Sequence, residues 1–403
     1  MKIHLVNPYG NLPDEGWFPY RSSCLAEQLG QRGHEVVWWT SNLEHREKRP
    51  RHPGKREYGR NFTVNIVKSL PYRKHVSLAR IKFERTFARN VFKVLDASPE
   101  KPDVIVQAEP AVCYADIAVR YYKKRPCPLV IDVIDLWPEL FRMLLPQSAK
   151  GLEKFVLGPL YGRRRRLLEC ADGFMAVSKD YLRVANVEAP GRPGIVAYLG
   201  IDVGSFSKHK GSPPCLPEKQ PGDIWCIYVG TLGKNYDISC LLEAAQRLVP
   251  HRVKILIAGA GDRRGEVEEA ARRGLVIFLD TLTRQELIEV YRQCDLGLAP
   301  YAEGSTVAMP FKAFDYLAAG LPIVTSIKGE LGEMLESNSA GAVYEAGAIQ
   351  SLLSAILKYA ANADARQRAS LASRALADEM DYAVQYSNAA DFIERVGRSA
   401  TDR

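Results

Sequence analysis

Tyr228-Val229-Gly230-Thr231-Leu232-Gly233-Lys234 joins an apolar run to a loop with two glycines and a lysine. Glycines let backbone N–H groups approach a phosphate, and lysine adds a point charge. An ordinary strand-to-helix turn would read the same way. A second stretch runs from Ser305-Thr306-Val307 through Pro310, Lys312 and Asp315 to Gly320 and Pro322. Cap-type residues, a proline suited to a first turn and a closing Gly and Pro predict a short helix. Its start offers unpaired N–H groups and the positive end of a dipole to an anion. Lys312 and Asp315 are three apart and share a face. Asp315 could accept from two vicinal hydroxyls, as on a ribose; alternatively the two form a surface ion pair worth ~0.3–0.5 kcal/mol.

Two further stretches carry polar groups at predicted strand ends. Ile257-Ala258-Gly259-Ala260-Gly261-Asp262 is a Gly-x-Gly turn without the third glycine of a dinucleotide fingerprint, which argues against a dehydrogenase. Asp132-Val133-Ile134-Asp135-Leu136-Trp137-Pro138-Glu139 ends a strand with carboxylates and an indole, and Trp137 suits a structural or a binding role equally. P-loop, H-E-x-x-H and Gly-x-Ser-x-Gly patterns are absent, and so is Asp-x-Asp, which disfavours a donor held through a divalent metal. The eight cysteines are scattered without a C-x-x-C pair, which argues against structural zinc and a disulfide framework and fits a reducing cytoplasm.

Short β-rich runs alternating with amphipathic stretches must position these residues. Strands are predicted at Ile3–Val6, Val36–Thr40, Val104–Gln107, Leu129–Val133, Gly173–Val177 and Ile195–Ala197, with a helix over Arg21–Arg32. The pattern restarts with Trp225–Val229, Val253–Ala258, Val276–Leu279, Leu296–Ala299 and Ile323–Thr325, and ends in a helical segment, Ala365–Arg398. This predicts an α/β chain of two doubly wound domains: 1–203, then a Pro-rich linker 204–223, then 224–379. A C-terminal helix at about 380–403 is expected to return to the first domain. Ligands in such sheets sit at the carboxyl ends of the strands, here expected in a cleft between the domains.

Charge is unevenly placed. The net charge is +8, yet Arg46–Lys93 holds 15 Lys/Arg against Glu47, Glu57 and Glu84. Within Val76–Ala97, apolar Ile81, Phe83, Phe87, Val91, Phe92 and Leu95 alternate with Arg80, Arg85, Arg89 and Lys93, and Arg163–Arg166 follow downstream. A basic amphipathic helix of this kind suits an anionic membrane surface, or else packs on the core with a solvated charged face. Nucleic acid has no recognised motif here. The N-terminus has too short an apolar run for a signal peptide, and no apolar run is long enough to span a membrane.

Gly30-Gln31-Arg32-Gly33-His34-Glu35-Val36, Ala176-Val177-Ser178, Leu199-Gly200-Ile201-Asp202 with Phe206, Gly230–Lys234, Cys294-Asp295-Leu296-Gly297-Leu298 and Asp315–Pro322 occur in one order. In these the chain resembles the retaining, nucleotide-sugar-dependent glycosyltransferases of family 4. Asp132–Glu139 and Pro310–Pro322 resemble a bacterial polysaccharide branch that includes N-acetylfucosaminyl transferases. The resemblance implies the GT-B fold, two Rossmann-like domains facing a central cleft. It implies transfer of a hexosyl or N-acetylhexosaminyl group, with retention, from a nucleoside-diphosphate sugar (uridine by family frequency). The acceptor would be a membrane-associated or lipid-linked saccharide, the chain a peripheral protein on the inner face of the cell membrane, and no metal or other cofactor would be needed.

The roles implied are also specific. Lys234 would neutralise the donor diphosphate beside Gly230 and Gly233, and Asp315 would bind the ribose. Ser305, Thr306 and Val307 would hold the sugar, Gly259 and Leu282 would line the base, and the loop Gly10–Gly16 would meet acceptor and phosphate. The family's first acid falls on Val307, its histidine on or beside Ile134, and its arginine on Thr231. Lys312 or Arg21 is left to supply that positive charge, and Asp135, near Trp137 on the acceptor side, to position the acceptor. A nucleotide-sugar 2-epimerase and a non-catalytic nucleotide-sugar-binding partner are the alternatives.

Overall fold

Ile224–Val229 and Val253–Ala258 are buried along nearly their whole length. Strands covered on both faces read as continuous apolar runs, and these two lie side by side in a parallel sheet. The computed structural model describes residues 1–403 apart from 16–20, 46, 60, 75–76, 140, 142–152, 209–210, 212–213, 306 and 400–403. The chain divides into two units, Met1–Leu199 with Ala383–Arg403, and Gly200–Tyr382.

The first unit contains, in chain order, β1 (Lys2–Val6), α1 (Arg21–Gln31), β2 (Glu35–Ser41), β3 (Gly54–Tyr58), β4 (Phe62–Val67) and α2 (Leu78–Ala97). These are followed by β5 (Val104–Glu109), α3 (Ala115–Lys124), β6 (Leu129–Val133), α4 (Glu153–Leu168), β7 (Gly173–Ala176), α5 (Lys179–Glu188) and β8 (Gly194–Val196). The sheet order is β3-β4-β2-β1-β5-β6-β7-β8, parallel except for the antiparallel edge strand β3. Every strand expected from the sequence is present. β3 and β4 were not expected, because they lie in the basic stretch: β3 is a charged, mostly exposed edge, whereas β4 alternates buried and half-buried positions.

Helix α2 turns Phe83, Phe87, Val91, Phe92 and Leu95 into the core. Ile81, expected on that apolar face, is instead 38% exposed. Arg80 is buried with Glu84, at 3.0 Å, and Arg85 pairs with Asp116 at 2.9 Å. Lys82, Arg89 and Lys93 form its solvated side. Much of the charge on this helix therefore serves the fold.

The second unit opens with α6 (Val203–Lys208), which starts one residue before the expected linker and runs into it, and β9 (Ile224–Val229). Then come α7 (Ile238–Leu248), β10 (Val253–Ala258), α8 (Arg264–Arg272), β11 (Val276–Phe278), α9 (Arg284–Gln293) and β12 (Leu296–Ala299). It continues with α10 (Phe311–Ala318), β13 (Ile323–Thr325), α11 (Glu330–Ser337), β14 (Gly341–Val343), α12 (Ile349–Ala360) and α13 (Ala363–Glu379). The all-parallel order β11-β10-β9-β12-β13-β14 is doubly wound, and it reverses between β9 and β12. The last helix, α14 (Tyr382–Ser399), packs on the first unit, where Glu394 accepts from Arg32 at 3.0 Å and lies 3.0 Å from His34.

Candidate functional site

Open parallel sheets bind ligands beyond the carboxyl ends of their strands, where the order reverses. In the second unit that point is flanked by the loop after β9, starting at Gly230, and the segment after β12, starting at Pro300. The two are stitched together by an isolated bridge between Tyr236 and Tyr301. Asp237 N also donates to Pro300 O at 3.3 Å, and Ala302 N to Asn235 O at 3.0 Å.

The β9 loop is held by backbone. Gly230 N donates to Ala258 O at 3.0 Å, and Leu232 N to Ala260 O at 2.9 Å. A Cβ on Gly259, at φ +147°, would stand 1.9 Å from Gly230 O, and one on Gly261 2.4 Å from Leu232 O. Close backbone approach therefore requires glycine at both positions, whatever part Gly259 takes in lining a base. Gly233 is half-buried and Lys234 exposed further along the loop.

Helix α10 starts after Pro310 and is pinned to the sheet by Tyr316, whose hydroxyl accepts from Val229 N at 3.0 Å and donates to Leu298 O at 3.2 Å. Its Lys312 and Asp315 do not pair with each other, which corrects the surface ion pair allowed by their spacing. Lys312 is buried, with Nζ 4.3 Å from the Tyr228 ring centre, 4.5 Å from Tyr236 and 5.2 Å from Tyr301. Burial pushes its amine down to about 7. The same Nζ lies 2.8 Å from where a Cβ on Gly230 would stand, so the loop and the helix meet at a glycine.

Asp315 Oδ1 instead accepts from Arg284 Nη1 at 2.7 Å. Burial holds the Asp315 carboxyl above the usual range, with the guanidinium opposing. Arg284 is placed by the capping box of Thr283 and Glu286 at the start of α9, with its guanidinium 5.2 Å from the Phe206 ring. Leu282, just before that cap, is half-buried. Ser305 Oγ accepts from Val307 N at 3.4 Å, and Val307 is exposed. Thr306 and Gly16 lie outside the described residues. Sequence reasoning missed Tyr236, Tyr301 and Arg284, since nothing in their local spacing marks them.

In the first unit Arg21 is not a spare cation. It is 1% exposed, bonded twice to Asp132 through Nε at 2.7 and 3.0 Å and once through Nη2 at 2.6 Å, with Nη1 on Ala197 O at 2.5 Å. Trp137 is buried too, with the Arg80 guanidinium 4.2 Å from its ring, so its faces serve packing. Its Nε1 donates to Asp135 Oδ2 at 3.2 Å, and Leu136 N donates to Oδ1 at 2.9 Å. Asp135 is thus oriented, and burial raises its pKa. Gly10, at φ +103°, lies against Trp38 and offers its carbonyl to Arg51 Nη2 at 2.9 Å. Among the described residues, no three His, Cys, Asp or Glu side chains cluster as a metal site.

Comparison with known proteins gives this geometry a family. Residues 24–204 match the model for Glycosyltransferase Family 4, and residues 223–362 that for Glycosyl transferases group 1. No curated protein matches the chain. Among solved structures, sucrose-phosphate synthase from Thermosynechococcus elongatus is 15% identical, with TM-score 0.72 over 99% of each chain. Anabaena HepE in complex with UDP is 15% identical, with TM-score 0.65 over 98% of this chain and 100% of that one. WaaG, a glycosyltransferase involved in lipopolysaccharide biosynthesis, is 15% identical, with TM-score 0.63 over 97% and 99%. With a family 4 domain followed by a group 1 domain, the chain belongs to the glycosyltransferases of the GT-B fold.

Proposed function

We propose that the chain transfers a hexosyl or N-acetylhexosaminyl group, with retention, from a nucleoside-diphosphate sugar to a membrane-associated or lipid-linked saccharide in cell-surface polysaccharide synthesis. The observation that carries this reading is the meeting of the Gly230 loop with the start of α10 where the strand order reverses. A diphosphate on that loop would lie near backbone N–H groups, the Lys234 ammonium and the positive end of α10. As the sugar–phosphate bond breaks, negative charge grows on the leaving oxygen, and fixed donors there are worth ~2.7–4 kcal/mol each. Asp315 would take the ribose, Leu282 the base, and the Ser305–Val307 segment the sugar. The cations belong to the chain, so no metal enters the scheme.

The UDP bound by HepE supports a UDP-sugar as donor, and the lipopolysaccharide role of WaaG supports a lipid-borne acceptor. On the first unit, Asp135 is the residue proposed to position the acceptor hydroxyl, and the loop Gly10–Gly16 is proposed to meet acceptor and phosphate. No described helix is long and apolar enough to cross a membrane. Exposed Phe155 and Val156 on α4, followed by exposed Arg165 and Arg166, support a peripheral seat on the inner leaflet.

The test incubates the protein with UDP-, GDP- and ADP-sugars, with and without lipid-linked saccharide. Acceptor-dependent release of nucleoside diphosphate supports the reading. Isomerisation without acceptor would identify a nucleotide-sugar 2-epimerase, and binding without turnover a non-catalytic partner. Sedimentation with vesicles tests the seat: binding to anionic but not neutral lipid, weakening with salt, is expected, and equal binding to both removes it.

A further inference from the structure

Lys312 sits where an ammonium has nothing to balance it. The residue is 9% exposed, rings of three tyrosines surround Nζ at 4.3–5.2 Å, and no hydrogen-bond partner reaches it among the described residues. The groups on each surrounding element are accounted for. β9 brings Tyr228, whose hydroxyl donates to Thr231 O at 2.6 Å, and the segment after β12 brings Tyr301. Burial pushes both phenols up, so they stay neutral. The β9 loop brings Tyr236, with exposed Lys234 before it and Asp237 after it, whose carboxylate accepts from Gly347 N at 2.7 Å. On α10 itself, Asp315 is taken by Arg284.

Ring faces attract a cation but supply no counter-charge. A carboxylate in their place would hold the lysine charged permanently and compete with any incoming anion for it. The cage leaves the charge to be set by the ligand.

Resting on the donor reading above, we infer that Lys312 becomes fully charged only when a diphosphate seats on the Gly230 loop, taking up a proton from solvent as it does so. An anion beside an amine favours its protonated form, and Gly230 is the point where the loop comes within contact of Nζ. The balance is simple: the neutral amine and one proton give the ammonium, and no donor bond is broken. With the empty amine near 7, affinity for the diphosphate falls as pH rises from 7 towards 9, by up to about tenfold per unit. Release of product returns the proton.

The test is calorimetric titration of the wild-type protein with UDP-glucose, whose diphosphate does not itself titrate near neutrality, in buffers of different ionisation enthalpy. Uridine is the control without phosphate. The expected result is uptake of up to roughly 0.75 proton per site at pH 7.5 with UDP-glucose, the share of the empty amine that is neutral there, and none with uridine. Lys312→Met should abolish the uptake and flatten the pH dependence, and Lys312→Arg should keep binding but not uptake. Binding with the same heat in every buffer, or equal uptake with uridine, overturns the inference and leaves the donor reading intact. If UDP-glucose is not bound, GDP- and ADP-sugars replace it, and failure of all three overturns the donor reading itself. The wild-type measurement stands even where a variant fails to fold.

Discussion

Arg284 on α9 grips Asp315 on α10 through a single hydrogen bond of 2.7 Å, Nη1 to Oδ1. That contact engages one carboxylate oxygen and opposes the protonation that burial favours. In the donor reading this carboxyl is the group that meets the ribose hydroxyls, and Arg284 and Tyr291 both work against the rise that burial imposes on it. Asp315→Ala should weaken UDP binding by about 10–100-fold, the loss of hydrogen bonds to a charged group. Arg284→Met should leave the site in place but let the carboxyl rise further, so that UDP affinity drops towards pH 5 more steeply than in the wild type. A flat profile for that variant in fluorescence or calorimetric titrations would separate Arg284 from the ribose.

Lys234 is exposed, so its removal should leave the fold intact. Lys234→Ala is expected to lose turnover by about 10²–10³ if it meets the leaving diphosphate. A loss below threefold in single-turnover rate, with an unchanged melting point, rejects the assignment.

The Arg21–Asp132 pair makes a stability prediction. Both side chains are almost fully buried, and truncating one leaves the other's charge uncompensated. Arg21→Ala and Asp132→Ala should each cost about 3–5 kcal/mol in urea unfolding. The combined Arg21→Met, Asp132→Leu variant should recover much of that. Single variants that keep full stability while losing only acceptor affinity would restore Arg21 to the binding site.

Glu109 sets a pH slope. It is fully buried, and burial raises its carboxyl from 4.5 to about 8, the nearby Arg164 charge opposing. Between those values the folded state holds a proton that the unfolded state has released, so Glu109 makes stability fall as pH rises from about 4.5 to 8. Glu109→Gln should flatten this part of the curve and raise the melting point relative to wild type at pH 8. Parallel curves for the two proteins would remove Glu109 as its source.

The strands were legible because doubly covered strands announce themselves as short apolar runs, and the reversal of strand order then locates the site. β4 carried a readable alternation at Phe62, Val64 and Ile66, masked by the charge around it. Within the site, Gly230, Lys312 and Asp315 were visible as residue types. Their partners were not, because Tyr236, Tyr301 and Arg284 arrive from other loops and helices. Lys312 and Asp315 share a face by spacing, yet one turns to tyrosines and the other to Arg284. Arg21 illustrates the same limit: its partner Asp132 is 111 positions away, so a buried structural arginine read as a spare cation.

Where Gly259 and Gly261 meet Gly230 and Leu232, main chain presses on main chain with no side-chain layer between. Such a seam has nothing to slide or repack, so the β9 loop inherits the stiffness of β10. A ligand arriving there finds its cradle already shaped and loses little affinity to ordering it. The same stiffness makes the cradle vulnerable from a distance, since a substitution that tilts β10 will misalign it without touching a single ligand contact.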